Sequence, residues 1–284
     1  MTQISNKEAL VQDDNHDMDY DEYKHVVLPP SSITYLYDEC KRCFYLQFRP
    51  GIRRPNTPFP SIFSKIDALQ REHFANGDSS LISKNLRPGK LITKEVNILS
   101  KPIGFSDSRV AFSLKGKMDC YYEYADEPGT GAILDFKTAS PNAKNMEMYS
   151  RQLHAYRHIL MNQLELKIPL QKIDELGIYY WVPSKYESLT HNDNPAKRRD
   201  FLGGNNQYVS LPIDESGFID FLRSIGNLLR NNELPEPGEK CSFCKHTEQV
   251  HALYNRHRHL IDDYEDVASP TKPIGFNIDR GFAA

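Results

Sequence analysis

The chain has 284 residues, of which 39% are hydrophobic, and its formal net charge at pH 7 is −3. This length and composition allow a sizeable core in one large or two small domains, and the charge excludes a protein that binds nucleic acid by global attraction alone. No stretch is long and apolar enough to span a membrane, and the first residues lack the basic-then-apolar order of a signal peptide, which predicts a cytoplasmic protein.

A folded region is predicted between two polar ends. Residues 1–24 are polar and acidic and predict a disordered arm, whereas residues 263–284 lack an amphipathic period and predict an extended or disordered tail. The predicted domain covers residues 25–262. It begins with a helix that opens at Ser31 and continues through Phe48.

Four of the five cysteines form two Cys-x-x-Cys pairs, Cys40 with Cys43 and Cys241 with Cys244. Two thiolates of a tight turn can bind one tetrahedral metal, and two pairs supply a complete set of four ligands. A reducing compartment favours liganded thiolates over disulfides. The spacing therefore predicts a four-cysteine metal site that joins the N- and C-terminal segments, with unliganded pairs or a redox switch as the alternatives.

The most informative stretch follows a predicted helix over residues 61–76 and predicted strands over residues 91–99 and 109–114. One further predicted strand carries the motif Gly116-x-x-Asp119, and the next carries the run from Ala132 to Lys137. Turn-forming residues between them predict a hairpin, which would set the two strands side by side.

Alternation along the second strand puts Asp135 and Lys137 on one face and Phe136 in the core. Strand pairing would bring Asp119 beside Asp135, and two neighbouring carboxylates make chemical sense around a hard cation such as Mg²⁺ or Mn²⁺. The Phe136 carbonyl is a further candidate ligand. Lys137 would orient the attacking water, and this arrangement predicts phosphodiester hydrolysis. The alternative is an Asp-x-Lys triplet on a solvated strand face.

If the segment after this strand is a helix, Gln152 and Tyr156, which are four residues apart, lie on one face of it. They could contact Lys137 or a DNA backbone. The alternative is an amphipathic helix whose tyrosine packs in the core.

The later elements are a strand over residues 176–182, a mobile polar loop over residues 191–206 and an amphipathic helix over residues 216–232. The basic run at residues 197–199 could hold a phosphate backbone, although such runs are usually solvated.

The order G-x-x-D, hairpin, D-x-K-T and Q-x-x-x-Y resembles the RecB-like branch of the PD-(D/E)XK nuclease superfamily. The resemblance implies a restriction-endonuclease-like α/β fold, with a mixed sheet flanked by helices, and a metal-dependent DNA nuclease, of exonuclease type, acting in repair, recombination or defence. In this branch a histidine of an earlier helix is often a further metal ligand, and Asp67, Glu72 and His73 are the candidates here.

The resemblance also bears on the cysteine site. Members of the branch that hold an iron–sulfur cluster usually have one cysteine before the nuclease core and three after it, whereas this chain has two before and two after. Zinc and an iron–sulfur cluster therefore both stay open.

The expected partner is DNA that is single-stranded or has free ends. The chain has no G-x-x-x-x-G-K-[ST] motif, so any motor would come from a helicase or a repair or recombination partner. Two other classes stay open: a non-catalytic nucleic-acid-binding or assembly subunit, and a zinc-stapled interaction module.

Overall fold

The structure is a computed structural model, and it describes residues 10–11, 24–55, 60–75, 79–191 and 194–265. Most of the predicted arm and tail lies outside these residues. The described backbone also includes some positions whose side chains are not described: Leu10, Val11, Lys24, Ser79, Asp119 and residues 189–198 and 258–265.

The described chain contains both strands and helices, which follow one another in short runs of one kind. The strands are β1 (Leu10–Val11), β2 (Lys24–Leu28), β3 (Gly89–Leu99), β4 (Ile103–Phe105), β5 (Val110–Tyr124), β6 (Thr130–Lys137), β7 (Lys172–His191) and β8 (Asn194–Leu211). After a π-helical segment (Ser32–Leu36), the α-helices are α1 (Tyr37–Glu39), α2 (Lys41–Phe48), α3 (Ser61–Ala75), α4 (Ala143–Met161), α5 (Glu215–Arg230) and α6 (Ser242–Glu265).

The described strands form one mixed sheet in which β5 has the most neighbours. It pairs antiparallel with β3, β4 and β6 and parallel with β2. Helix α4 connects β6 to β7, which pair in parallel, and β7 pairs antiparallel with β8. The predicted mixed sheet flanked by helices is confirmed.

Two hydrophobic clusters cover the two faces of β6. Ile133 lies in the first cluster, together with side chains of α4 and α5, whereas Leu134 and Phe136 lie in the second, against Phe74 of α3. This alternation is the period of two that a strand requires. Since Asp135 shares the parity of Ile133, it is directed toward the face that α4 covers.

The prediction of one continuous helix from Ser31 to Phe48 is wrong at one position. Cys40 adopts an extended backbone conformation, with φ −161° and ψ 106°, and interrupts the helical path between α1 and α2. Its Sγ atom accepts a hydrogen bond from the backbone N–H of Cys43 at 3.4 Å and so caps α2. The cysteine that reads as an interior helical residue in the sequence is an N-cap in the structure.

The prediction of a mobile loop over residues 191–206 is also wrong. Most of that range belongs to β8, which pairs with β7 in a long antiparallel ribbon from Leu176↔Leu211 to His191↔Asn194. Side chains on both faces of this ribbon are exposed over residues 183–188 and 199–207. A ribbon with two solvated faces has no alternation of apolar and polar residues, so its sequence reads like a loop.

The chain divides into two compact units, Met1–Glu239 and Lys240–Ala284. The first unit contains the sheet and helices α1 to α5, and the second contains α6, whose side chains are exposed from Lys245 to His257. Among the described residues, every helix is too short or too polar to cross a membrane.

Candidate active site and cysteine cluster

The end of β6 carries an ion pair between Asp135 and Lys137. Lys137 Nζ lies 2.7 Å from Asp135 Oδ2. The side chain of Lys137 is 17% exposed and that of Asp135 is 23% exposed. Their convergence follows from strand alternation, because both project from the same face of β6 while Phe136 stacks on Phe74 in the core. The pair is partly buried yet accessible from one side.

The register between β5 and β6 bears on Asp119. The ladder pairs Tyr122 with Ala132 and Glu123 with Gly131. Continued along both strands, the same register would set Asp119 across from Asp135. The side chain of Asp119 lies outside the described side chains, so the shared carboxylate site stays a prediction.

Helix α4 brings Gln152 to the lysine. The Oε1 atom of Gln152 accepts a hydrogen bond from Lys137 Nζ at 3.4 Å and another from the Tyr35 hydroxyl at 3.5 Å. Both distances are long, so each bond on its own is weak. The Oε1 atom of Gln152 is therefore a shared acceptor that links Lys137 to Tyr35.

Tyr156 contacts strand β5, whereas Gln152 contacts Lys137. Its hydroxyl donates to the backbone carbonyl of Lys117 at 3.2 Å, and its ring lies against β5 where Gly116 leaves room. A Cβ atom at Gly116 would come within 2.6 Å of Tyr156 Cε1. The glycine of the G-x-x-D motif thus lets α4 approach the strand that carries Asp119.

Two tyrosines lie near Lys137 that the sequence analysis did not predict as site residues, Tyr149 and Tyr35. The Lys137 Nζ atom lies 4.6 Å from the ring centroid of Tyr149, within the range of a cation–π interaction. Tyr149 precedes Gln152 by three residues, so its position on the same helical face was a usable signal. Tyr35 comes from the π-helical segment, and no pattern in the sequence links it to Gln152.

Charge in the site keeps Lys137 protonated. Burial by itself would lower its pKa, but the Asp135 carboxylate, through its charge and its hydrogen bond, outweighs this effect together with Tyr35 and Tyr149, so the pKa of Lys137 lies above its ordinary value. Burial raises the pKa of the Tyr35 phenol, and the Lys137 ammonium opposes that rise. At neutral pH the site therefore presents an ammonium group and a neutral phenol.

A small inner cavity of about 110 Å³ lies beside the ion pair. Asp135, Gln152 and Tyr156 line it, and so does Asp67 of α3, which is held by Arg71 at 2.8 Å. Glu72 and His73 are exposed and do not border this cavity.

Of the three candidate metal ligands on α3, Asp67 is therefore the one that lines the same cavity as Asp135. Carboxylate oxygens around a space large enough for an ion with water suit a hard cation such as Mg²⁺ or Mn²⁺.

The four paired cysteines form a separate cluster. Cys40, Cys43, Cys241 and Cys244 are all buried, and their Sγ atoms all lie within 4.8 Å of one another, so the cluster joins the N- and C-terminal segments. The N–H group of Cys244 donates to Cys241 Sγ at 3.4 Å, which repeats the turn at Cys40 and Cys43. The N–H of Gly238 also donates to Cys40 Sγ, at 3.2 Å.

Amide donors of this kind stabilise thiolates, and a set of four sulfur atoms suits zinc or an iron–sulfur cluster. The fifth cysteine, Cys120, is buried in the second hydrophobic cluster and also borders the inner cavity.

Of the basic run at residues 197–199, only Arg199 has a described side chain, and it is exposed. Its predicted contact with a phosphate backbone stays a prediction.

Comparison with known proteins identifies the family of the chain. No curated protein matches the sequence. A solved structure titled "Crystal structure of SSO0001" is similar at 11% sequence identity and a TM-score of 0.33, over 74% of this chain and 79% of that chain. The profile of the PD-(D/E)XK nuclease superfamily matches residues 68–249, more than half of the chain, including the Asp-x-Lys strand and helix α4. The chain therefore belongs to the PD-(D/E)XK nuclease superfamily.

Proposed function

We propose that the protein is a divalent-metal-dependent deoxyribonuclease that hydrolyses phosphodiester bonds. The observation that carries the proposal is the Asp135–Lys137 pair, held at 2.7 Å beside a cavity that Gln152 of α4 also lines. Metal-dependent phosphodiester hydrolysis needs a carboxylate, an ammonium group and a space for a metal ion, and all three lie at the end of β6.

Asp119 and Asp135, with the Phe136 carbonyl, would hold Mg²⁺ or Mn²⁺. When bound, the ion polarises the phosphate and lowers the pKa of a water molecule. Lys137 donates hydrogen bonds as an ammonium group, and it orients the water and offsets negative charge that develops on the phosphate. Gln152 keeps Lys137 in place, and Tyr156 fixes α4 against β5.

The order of the motifs supports assignment to the RecB-like branch, and with it an exonuclease-type activity on DNA that is single-stranded or has free ends. A helicase or a repair, recombination or defence assembly would supply the unwound strand. Residues 25–262 would form the working domain, and the protein would act in the cytoplasm.

Cleavage of end-labelled single-stranded and duplex DNA tests the proposal. We expect cutting with magnesium or manganese, no cutting with a chelator, and loss of cutting in Lys137→Ala. Lys185→Ala is the matched control, because Lys185 is 67% exposed on β7 and borders neither cavity near Asp135.

The product ladder from labelled ends separates exonuclease from endonuclease activity. Binding of DNA without cleavage in any metal would overturn the proposal and favour a non-catalytic nucleic-acid-binding or assembly subunit. If Lys137→Ala cuts like the wild type, the assigned site is wrong.

The cysteine cluster is proposed to hold zinc or an iron–sulfur cluster with a structural role. Iron–sulfur charge transfer gives visible absorbance at roughly 400 nm, whereas a zinc-loaded protein is colourless. Metal analysis of the purified protein distinguishes the two, and a stoichiometry near zero for both metals would overturn this assignment.

A further inference from the structure

A second, larger cavity of about 510 Å³ opens next to the ion pair. Asp67, Asp135 and Phe136 line both this cavity and the inner one, so the two are adjacent. Its other walls include Tyr35 from the π-helical segment and Phe63 from α3. The outer cavity therefore lies where a substrate would extend from a phosphate held at Lys137.

Two large aromatic side chains on this wall remain accessible. Tyr35 is 40% exposed and Phe63 is 39% exposed, although most aromatic residues of the sheet are buried. They come from different elements and border the same cavity. The hydroxyl groups of Ser64 and Thr138, which also line it, can donate and accept hydrogen bonds.

Such a wall has the chemistry of a site for an unpaired nucleobase. Aromatic side chains bind the faces of bases with little regard to sequence, and a volume of about 500 Å³ lies in the usual range for small-ligand pockets. The bases of a duplex are already stacked on their neighbours, so their faces are not available to Tyr35 and Phe63.

On these grounds we infer that the outer cavity binds an unpaired base next to the scissile phosphate, through the rings of Tyr35 and Phe63. The inference rests on the proposed nuclease function and deepens it, because it names single-stranded nucleic acid as the preferred substrate. Lys137, which lines the outer cavity, would contact the adjoining phosphate.

The test compares two oligonucleotides of equal length and charge, a thymidine strand and a strand of abasic sugar phosphates, bound by the full chain in a chelator. We expect the wild type to bind the thymidine strand at least about fivefold more tightly, since stacking on aromatic rings discriminates by roughly this much or more per base. Tyr35→Leu and Phe63→Leu should bring the ratio toward one.

Two controls isolate the rings. Tyr35→Phe keeps the ring and removes the hydroxyl that donates to Gln152, so the ratio should stay as in the wild type. Tyr186→Leu removes a 64% exposed tyrosine of β7 that borders neither cavity, and it should also leave the ratio unchanged. Thermal unfolding of each variant verifies that it folds.

The outcomes separate this inference from the proposed function. If the wild type cuts DNA but its binding ratio is near one, or is unaffected by both leucine variants, the inference fails and the nuclease assignment stands. If the ratio depends on the rings but no metal supports cutting, the nuclease assignment fails and the base site stands. A cavity that instead received a protein segment would give a ratio near one in every variant.

Discussion

The candidate active site and the cysteine cluster use burial in opposite ways. Lys137 and Asp135 keep 17% and 23% of their side-chain surface exposed, whereas none of the four clustered cysteines exceeds 4%. Hard oxygen ligands at an accessible strand end suit an ion that must meet water and substrate. Buried sulfur ligands suit a metal that is retained and stabilises the fold. We therefore expect substitutions in the active site to change catalysis, and substitutions in the cysteine cluster to change stability.

Replacement of Asp135 by asparagine should give the largest effect. The amide keeps the shape but loses the anionic charge that holds a divalent cation, so we expect DNA cleavage to fall by about a thousandfold, or about 4 kcal/mol of barrier. The unfolding midpoint should move by less than about 5 °C, because the side chain is partly exposed. Single-turnover cleavage and calorimetry measure the two quantities.

Asp220→Asn is the matched control for Asp135→Asn, since Asp220 is 78% exposed on α5. A large loss of stability with unchanged cleavage would reverse the comparison between the two sites.

Cys40→Ser tests whether the cysteine cluster binds a metal that stabilises the fold. Loss of one thiolate from the four should release the metal and lower the free energy of unfolding by at least about 3 kcal/mol. Metal content and chemical denaturation give the readout. Cys120→Ala is the control, because Cys120 is buried but lies outside the cluster, and it should keep the full metal content. A Cys40→Ser protein with full metal content would show that the cluster is not the binding site.

The pH dependence of stability concerns a buried histidine that belongs to neither site. His158 of α4 is 3% exposed, and burial lowers its pKa to about 4 from an ordinary 6.5. A group with a depressed folded pKa contributes stability above its unfolded pKa and loses it as the pH falls toward the folded value. We therefore expect His158 to account for a loss of about 2 kcal/mol between pH 7 and pH 5.

His158→Gln, which cannot take up a proton in this range, should flatten that pH dependence in denaturation experiments. The exposed His251 of α6 is the control, and His251→Gln should leave the slope unchanged. Equal slopes for wild type and His158→Gln would show that His158 does not carry the effect.

The smallest expected effect is that of Gly116→Ala, which links packing to the active site. The new Cβ would meet the Tyr156 ring at 2.6 Å, so α4 must shift, at a cost of about 1–2 kcal/mol. Cleavage should fall severalfold because Gln152 moves with the helix. At Gly203 the nearest atom to a new Cβ, Lys185 Cβ, is 3.6 Å away, so Gly203→Ala serves as control. If both alanine variants match the wild type in cleavage and stability, α4 is not held as tightly as proposed.

Much of the fold could be predicted because its signals are local. The strand that carries Asp135 and Lys137 and the helix that carries Gln152 are both marked by short motifs in the sequence, and both are present as β6 and α4. Residues 191–206, most of which lie in β8, were predicted as a loop because the two solvated faces of the ribbon leave no alternation of apolar and polar residues. Choosing Asp67 over Glu72 and His73 also needed the structure, since all three are polar residues of one helix.

The amino-acid sequence was enough to name the candidate residues: two aspartates, a lysine, a glutamine and two cysteine pairs, at spacings that simple backbone geometry interprets. The distant residues that lie beside these candidates became visible in the folded chain alone. Tyr35 reaches Gln152 across 117 positions of the chain, and it does so through the packing of the N-terminal helical segment near α4. The period of a sequence pattern predicts on which face of its own strand or helix a side chain lies. Contacts between elements depend on how those elements pack against one another, and no local sequence pattern encodes this packing.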